Sequence, residues 1–366
     1  MSDDTRRRKE EHIRISLNQN VQARMVTTGF EDIHFIHKAL PEINKQNIDL
    51  SKEIFNHKFA APLIVGAITG GTPEAARINS TIAEVVEEMG LGMGVGSQRA
   101  SIDNKMLEKT FSITRKKAPT AFLIANIGGI QLVNGYGLKE VERAMKMIEA
   151  DAIAIHLNPL QEAIQPEGQT NFKGILGRIE EIQRKLEKPV IVKETGAGIA
   201  AEIGKKLEEA GVKGIDVSGA GGTSWAAVEY YRAKKQGKGY QRELGEVFWD
   251  WGIPTAISIV EVYQTVSIPV IASGGIRSGI DVAKALALGA SLTSLSQPIL
   301  LAANKGKEET MKILSLLTEE LKNVMFLLGV ESVQNLPNIS LTITGKTAEW
   351  LSMRGYKLEN YAQRRY

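Results

Sequence analysis

The 366-residue chain contains no cysteine. That excludes disulfides, thiolate nucleophiles and Cys-ligated zinc or iron–sulfur centres. Net charge is equally scarce: 45 Lys and Arg against 42 Asp and Glu leave +3, too little for a coat on nucleic acid. Long apolar runs are missing too. The longest, such as residues 63–68, fall far short of the roughly 18–20 residues that span a bilayer. Residues 1–20 hold no apolar stretch of the kind a secretion signal carries. A cytoplasmic protein that binds neither nucleic acid nor membrane is expected. With 43% hydrophobic and 24% charged residues, the balance is that of a folded globular chain. The small basic excess gathers at one end, in Arg6, Arg7, Arg8, Lys9 and Arg14. A solvated basic tail and a seat for an anionic ligand both fit it.

From about residue 60, short runs rich in Val, Ile, Leu and Ala recur, each closing on Gly, Ser, Thr or Asn. They lie at 62–69, 91–97, 120–126, 151–158, 189–195, 214–218, 268–273 and 291–296. Amphipathic stretches of helical period alternate with them, at 81–89, 139–148, 172–186, 200–210 and 280–288. Apolar runs buried on both faces and separated by such helices are the pattern of parallel βαβ units. Eight of them predict an α/β fold of one closed (β/α)8 TIM barrel rather than an open sheet. A single domain is expected over 1–366, with an N-terminal extension (1–59), an insertion after the sixth strand (about 225–265) and closing helices (307–366). The insertion is either a lid or a mobile excursion.

In such a barrel, polar groups at the C-terminal strand ends converge on one site. The first end reads Thr69-Gly70-Gly71-Thr72, the second Ser97-Gln98-Arg99, and the third Asn126. At the fourth, His156 and Asn158 are two apart and share a face. Gln161, Glu162, Gln165 and Glu167 follow at once. So dense a set of polar groups is a poor filler for a core. Lys193, near the fifth end, is costly to bury unless it meets an anion or an electron-rich cofactor. Its neighbour Glu194 faces the other side of the strand. Glycine-rich loops follow the sixth and seventh strands, at 218–223 and 273–279, and their backbone N–H groups suit a phosphate. Arg277 adds a charge-assisted grip. Two such loops beside a buried-type lysine point to FMN, with Lys193 at the N1–C2=O edge of the flavin.

These residues resemble a known family, the FMN-dependent type 2 isopentenyl-diphosphate isomerases, over nearly the whole chain. The resemblance is carried by Arg8-Lys9-x-x-His12, Thr69-Gly70-Gly71, Gly94-Val-Gly-Ser97-Gln98-Arg99 and His156-Leu-Asn158-x-x-Gln161-Glu162. It continues through Gln165-Pro-Glu-Gly168, Val192-Lys193-Glu194, Gly221-Gly222-Thr223, Trp251-Gly252 with Thr255-Ala256, and Ser273-Gly-Gly-Ile-Arg277. The His-x-Asn-x-x-Gln-Glu segment is the most specific of these. The resemblance implies interconversion of isopentenyl and dimethylallyl diphosphate in isoprenoid biosynthesis, with reduced FMN, Mg²⁺ and NADPH as the flavin's reductant. It implies FMN contacts from Ala67, Ile68, Thr69, Ser97, Asn126, Lys193, Ser218, Thr223, Gly275, Ile276, Arg277, Ser296 and Gln297. It implies substrate contacts from Arg8, Lys9, Ser97, Gln98, Arg99 and Gln161, catalytic roles for Gln161, His156 and Asn158, and Mg²⁺ on Glu162. A homo-oligomer, tetramer or octamer, is also implied. Two places depart from the family pattern: Ser294 and Ser296 stand where Gly and Ala are usual, and Gln169 stands where an acidic residue is common.

Two other readings compete. Another FMN-dependent TIM-barrel oxidoreductase needs a basic side chain and net hydride transfer, and leaves Arg8-Lys9 and the Gln-Glu pair unexplained. A binding module without catalysis leaves the crowded strand ends unexplained.

Overall fold

A computed structural model describes residues 2–365, and side chains from residue 7 onward, so the side chain of Arg6 lies outside the described residues. Eight short parallel strands close a barrel: β1 (Leu63–Val65), β2 (Gly92–Gly94), β3 (Phe122–Gly128), β4 (Ala152–His156), β5 (Val190–Lys193), β6 (Gly214–Asp216), β7 (Val270–Ser273) and β8 (Leu292–Leu295). Each pairs in parallel with the next, and β8 returns to β1. All eight apolar runs of the sequence become strands, and the expected (β/α)8 barrel is the fold. Most helices between them bury one stripe each, whereas Thr255–Tyr263 is buried almost all round. Residues Pro73–Met89 show why they form: Thr72 accepts from the Ala75 N–H at the start, and Gly90 ends the helix at φ +63°.

The barrel interior is graded from apolar to polar. Ile64, Phe122, Ile124, Ala152, Ala154, Ile191, Ile271 and Leu292 fill its lower half as one buried cluster. A hairpin in the N-terminal extension, Lys52–Ile54 paired with His57–Phe59, plugs the base. Phe59 is fully buried there, and the Phe55 ring stacks on Phe122 at 5.8 Å. Gly214 leaves room for that plug, since a Cβ would stand 2.8 Å from the Phe55 ring. At the upper rim the register places Gly128, His156, Lys193 and Asp216 in one layer. That layer is the floor of the site.

The start of the N-terminal extension lies at the opposite, open end, and residues 33–49 run along the closing segment. The helix Ser2–Asn18 crosses the mouth and packs on the helix Trp225–Lys235, the first part of the insertion after β6. The insertion is shorter than 225–265: it comprises Trp225–Lys235 and Gly239–Val247, whereas Thr255–Tyr263 packs on β7 as a regular outer helix. The closing segment contains the long helix Lys307–Leu327 and a strand, Leu341–Ile343, paired with Ile33–Phe35. Among the described residues no helix is long and apolar enough to cross a membrane.

Phe59→Ala removes the aromatic plug without touching the mouth. It should destabilise the protein by about 3–5 kcal/mol, seen as a lower urea midpoint, while FMN absorbance at saturation stays native.

Candidate active site

One cavity of about 240 Å³ opens at the C-terminal strand ends, and nearly every site residue expected from the sequence lines it. β1 and its loop bring Ala67, Ile68 and Thr69. β2 brings Ser97 and Arg99, β3 Asn126, β4 His156, Asn158, Gln161 and Glu162, and β5 Lys193. The late strands bring Ser218, Thr223, Gly275, Ile276, Arg277, Ser296 and Gln297, and the N-terminal helix adds Arg8 and Lys9. Gln98 is the exception, and the expectation that it faces substrate is corrected. Its fully buried amide accepts from Asn126 N–H at 2.9 Å and donates to the Ala144 carbonyl at 2.8 Å. It ties the β2 loop to β3, because the chain turns into the helix Arg99–Asp103 at that residue.

Positive charge collects at one end of the cavity. Lys9 Nζ donates to the Ser97 carbonyl at 2.5 Å and stands 5.1 Å from the Phe111 ring centre. Burial, with Arg8 and Arg99 adding repulsion, lowers the Lys9 ammonium to about 7. Arg8 reaches Glu167 only at 3.7 Å, and Arg99 reaches Asp103 at 3.8 Å. Among the described residues no carboxylate pairs with Lys9, so the three cations await an anion.

The other wall is a chain of amides and carboxylates. Asn126 donates its Nδ2–H to the Val95 carbonyl, which leaves its Oδ1 to accept from His156 Nδ1 at 2.8 Å. His156 Nε2 is therefore a bare acceptor. Burial, then Lys193 and Lys9, lower this imidazole to about 3, so it is neutral at physiological pH. Asn158 Nδ2 bridges Gln161 Oε1 and Glu162 Oε1, both at 3.1 Å. The other Glu162 oxygen accepts from Gln165 Nε2 at 2.6 Å and from the Gln169 N–H at 2.8 Å. Residue 169 reaches Glu162 through its backbone N–H, while its side-chain oxygen accepts from Asn134 Nδ2 at 3.4 Å. Gln161 Nε2 donates to Glu229 Oε1 at 3.0 Å, and His12 meets the same oxygen at 2.9 Å.

The late strands form a different surface. Gly274 and Gly275 take positive φ, +101° and +72°, and the N–H groups of Gly274, Gly275 and Ile276 find no acceptor among the described residues. The helix Gln297–Lys305 begins without a side-chain cap. Arg277 reaches Gln22 Oε1 at 2.9 Å but pairs with no carboxylate among the described residues. Unclaimed N–H groups, an open helix start and a guanidinium fit a phosphate monoester. Ser294 and Ser296 lie in the same wall, with their hydroxyls against Gly66, where a Cβ would come within 2.7 and 2.4 Å of them. Ser218 holds φ +39°, a left-handed conformation that costs a serine about 1–3 kcal/mol, at the cavity edge. Below it Asp216 accepts from the Ser273 hydroxyl beside Lys193, whose ammonium donates to the Glu194 carbonyl at 2.5 Å.

Several lining residues escaped the sequence reading. His12 and Ser16 follow Arg8 at i+4 and i+8 on the N-terminal helix, a spacing that was there to be read. Thr195 closes the fifth run and could have been read from it, whereas Gln131 and Trp225 carry no local signal. Glu229 reads in sequence as half of a surface i,i+3 pair with Arg232, yet it is fully buried.

Fold and site define an FMN-type barrel, and residues 137–342 match the family model described as FMN-dependent dehydrogenase. Mandelate oxidase with (S)-2-phenylpropionate superposes with a TM-score of 0.62 at 19% identity, over 93% of this chain and 98% of that one. That likeness establishes the architecture alone. An isopentenyl-diphosphate delta-isomerase of Methanosarcina barkeri is 49% identical over 99% of this chain and 98% of its own. One of Methanothermobacter thermautotrophicus is 49% identical over 98% and 99%. This chain belongs to the FMN-dependent, type 2 isopentenyl-diphosphate delta-isomerases.

An anion seated among Arg8, Lys9 and Arg99 stabilises the charged form of Lys9, so binding takes up a proton above the free pKa. Pyrophosphate affinity should therefore level off below pH 7 and fall above it, by up to about tenfold per pH unit beyond the slope of Lys9→Met. Calorimetry from pH 6 to 9 checks this, and equal slopes in the two proteins would refute it.

Proposed function

We propose that the protein converts isopentenyl diphosphate to dimethylallyl diphosphate with reduced FMN in the barrel and Mg²⁺ at Glu162. The observation that carries this reading is the cluster of Arg8, Lys9 and Arg99, whose carboxylate contacts are no closer than 3.7 Å, set against the wall of Asn158, Gln161 and Glu162 in one cavity of an isomerase-family chain. A diphosphate supplies the missing counter-charge, and its hydrocarbon tail extends into the part of the cavity that carries no charge-matching need.

The reaction adds a proton to the terminal alkene carbon and removes one from the neighbouring allylic carbon, with no net oxidation. Protonating an alkene creates cationic character at a tertiary carbon, which bulk water would trap. The N-terminal helix across the mouth keeps water out, and Arg8 and Lys9 on that helix hold the diphosphate. Gln161 presents its carbonyl oxygen to the cavity in a sense set by Asn158 and Glu229. His156, neutral and bonded to an amide rather than a carboxylate, is an acceptor and a positioning group, not an acid. The same bond leaves His156 without a carboxylate partner to raise its basicity, which does not favour it as the base of a hydride transfer. Unclaimed backbone donors of the late loops and Arg277 would hold the FMN phosphate, and Lys193 would face the ring edge. When bound, reduced FMN supplies an electron-rich ring face toward developing positive charge and an exchangeable proton. Among the described residues no group of three or more His, Asp or Glu side chains is placed to hold a metal ion. One oriented carboxylate nevertheless suits Mg²⁺, which takes most of its ligands from phosphate oxygens and water.

NADPH as reductant, a cytoplasmic setting and a homo-oligomer complete the proposal. Exposed Met25, Val247 and Trp251 near the mouth support a covered surface of that kind.

Without air, the dithionite- or NADPH-reduced holoenzyme should turn isopentenyl diphosphate and Mg²⁺ into dimethylallyl diphosphate without consuming reductant. A yellow protein that makes none under those conditions would return the weight to a dehydrogenase. Glu162→Gln should weaken Mg²⁺-dependent substrate binding by roughly tenfold or more and leave the protein yellow. Lys193→Ala should instead lose FMN on gel filtration, and unchanged FMN affinity would remove that lysine from the ring.

A further inference from the structure

A charge cluster with a buried core of Glu11, Glu229 and Arg232 lies behind Gln161. Arg232, 2% exposed, meets three carboxylates from three separate segments. Its Nη1 donates to Glu229 Oε2 at 2.5 Å, its Nη2 to Glu167 Oε1 at 2.7 Å, and its Nε to Glu11 Oε2 at 3.3 Å. The groups facing Glu229 are His12 from the N-terminal helix, Arg232 from its own helix and Gln161 from the β4 loop, with Arg8 acting on His12 behind them. Glu11, Glu167 and Lys235 act on it only through Arg232 and Glu11. Burial works to raise Glu229, and His12, Arg232 and Gln161 together overcome it and hold the carboxyl low. Burial also lowers His12 against the pull of Glu229, and Arg232 is the permanent positive charge beside that carboxylate.

An ionised Glu229 only accepts. Gln161 must then turn its NH2 toward Glu229, which leaves its carbonyl oxygen for Asn158 and the cavity. Reversing the amide would set oxygen against carboxylate on one side and NH2 against NH2 on the other. A protonated Glu229 donates instead, and removes that preference. We propose that Arg232 is a positioning residue of the isomerase site: by keeping Glu229 ionised, it fixes the sense in which Gln161 presents its amide to the substrate. This rests on the isomerase reading and adds a residue that touches neither substrate nor cofactor.

The test compares holoenzymes of wild type, R232M, R232K and R232M/E229Q by kcat against pH and by isotope-edited infrared spectra of the glutamate carboxyls. In R232M, Glu229 loses its counter-charge and titrates upward. A new acidic limb should appear in kcat, with activity at pH 6 down by roughly tenfold or more and recovering as pH rises. R232K should keep the flat profile, and R232M/E229Q should be slow without the limb. R232M should also show a protonated-carboxyl band at neutral pH that wild type and the double variant lack. A folded R232M with the wild-type profile, or a limb that survives in R232M/E229Q, overturns the proposal. Should R232M not fold, the double variant decides: a roughly tenfold loss of kcat with native FMN absorbance supports it, and wild-type kcat overturns it. If wild type forms no dimethylallyl diphosphate, the isomerase reading falls, while the infrared band still decides whether Arg232 ionises Glu229.

Discussion

The ion-pair cluster around Arg232 is the interaction on which the site depends. Glu11 of the N-terminal helix and Glu167 of the β4 loop both close on a guanidinium from the insertion helix. Two charges taken out of water are costly unless geometry and hydrogen bonding are good. Here the one buried cation bonds three carboxylates, and the reward is placement rather than stability. The cluster lays the N-terminal helix across the barrel mouth, so that Arg8 and Lys9 point inward instead of into solvent.

That placement divides the cavity by charge. Three cations stand at one end with carboxylates no closer than 3.7 Å, and amides, a neutral histidine and the hydrogen-bonded Glu162 stand along the wall. Desolvation lowers Lys9 and His156 alike, but the consequences differ. Lys9 is left poised to gain a proton when an anion arrives. His156 is left permanently neutral, its ring fixed by Asn126, as a hydrogen-bond acceptor. The late strands add a third character, a set of unpaired backbone donors suited to a phosphate. A diphosphate ester and a phosphate-bearing flavin answer the two anion seats.

Much of this was legible in the sequence. Strands buried on both faces must be apolar throughout, so the eight runs stood out, and each polar residue at a run's end was an anomaly that pointed inward. His156, the last residue of β4, fell into place by the two-residue period, and Asn158 lines the cavity from the start of the helix that follows. Gln98 did not, because it lies past the strand end, where loop dihedrals rather than strand alternation decide direction. The insertion was overdrawn because Thr255–Tyr263, rich in Ile and Val, does not look amphipathic: nearly all of it is buried. The role of Glu229 was hidden for another reason. Its partners His12 and Gln161 lie 217 and 68 residues away, and nothing in a local window distinguishes such a glutamate from one half of a surface ion pair.

The central claim is that the N-terminal helix supplies the diphosphate seat while the barrel alone holds the flavin. Titration calorimetry of isopentenyl diphosphate into the oxidised holoenzyme, wild type against the Arg8→Gln/Lys9→Gln double variant, tests it most directly. Two charge-assisted contacts at about 1.5–3 kcal/mol each predict a Kd weakened by roughly 100-fold or more, with FMN affinity unchanged. An unchanged Kd, or a loss of FMN in step with the loss of substrate, would contradict it.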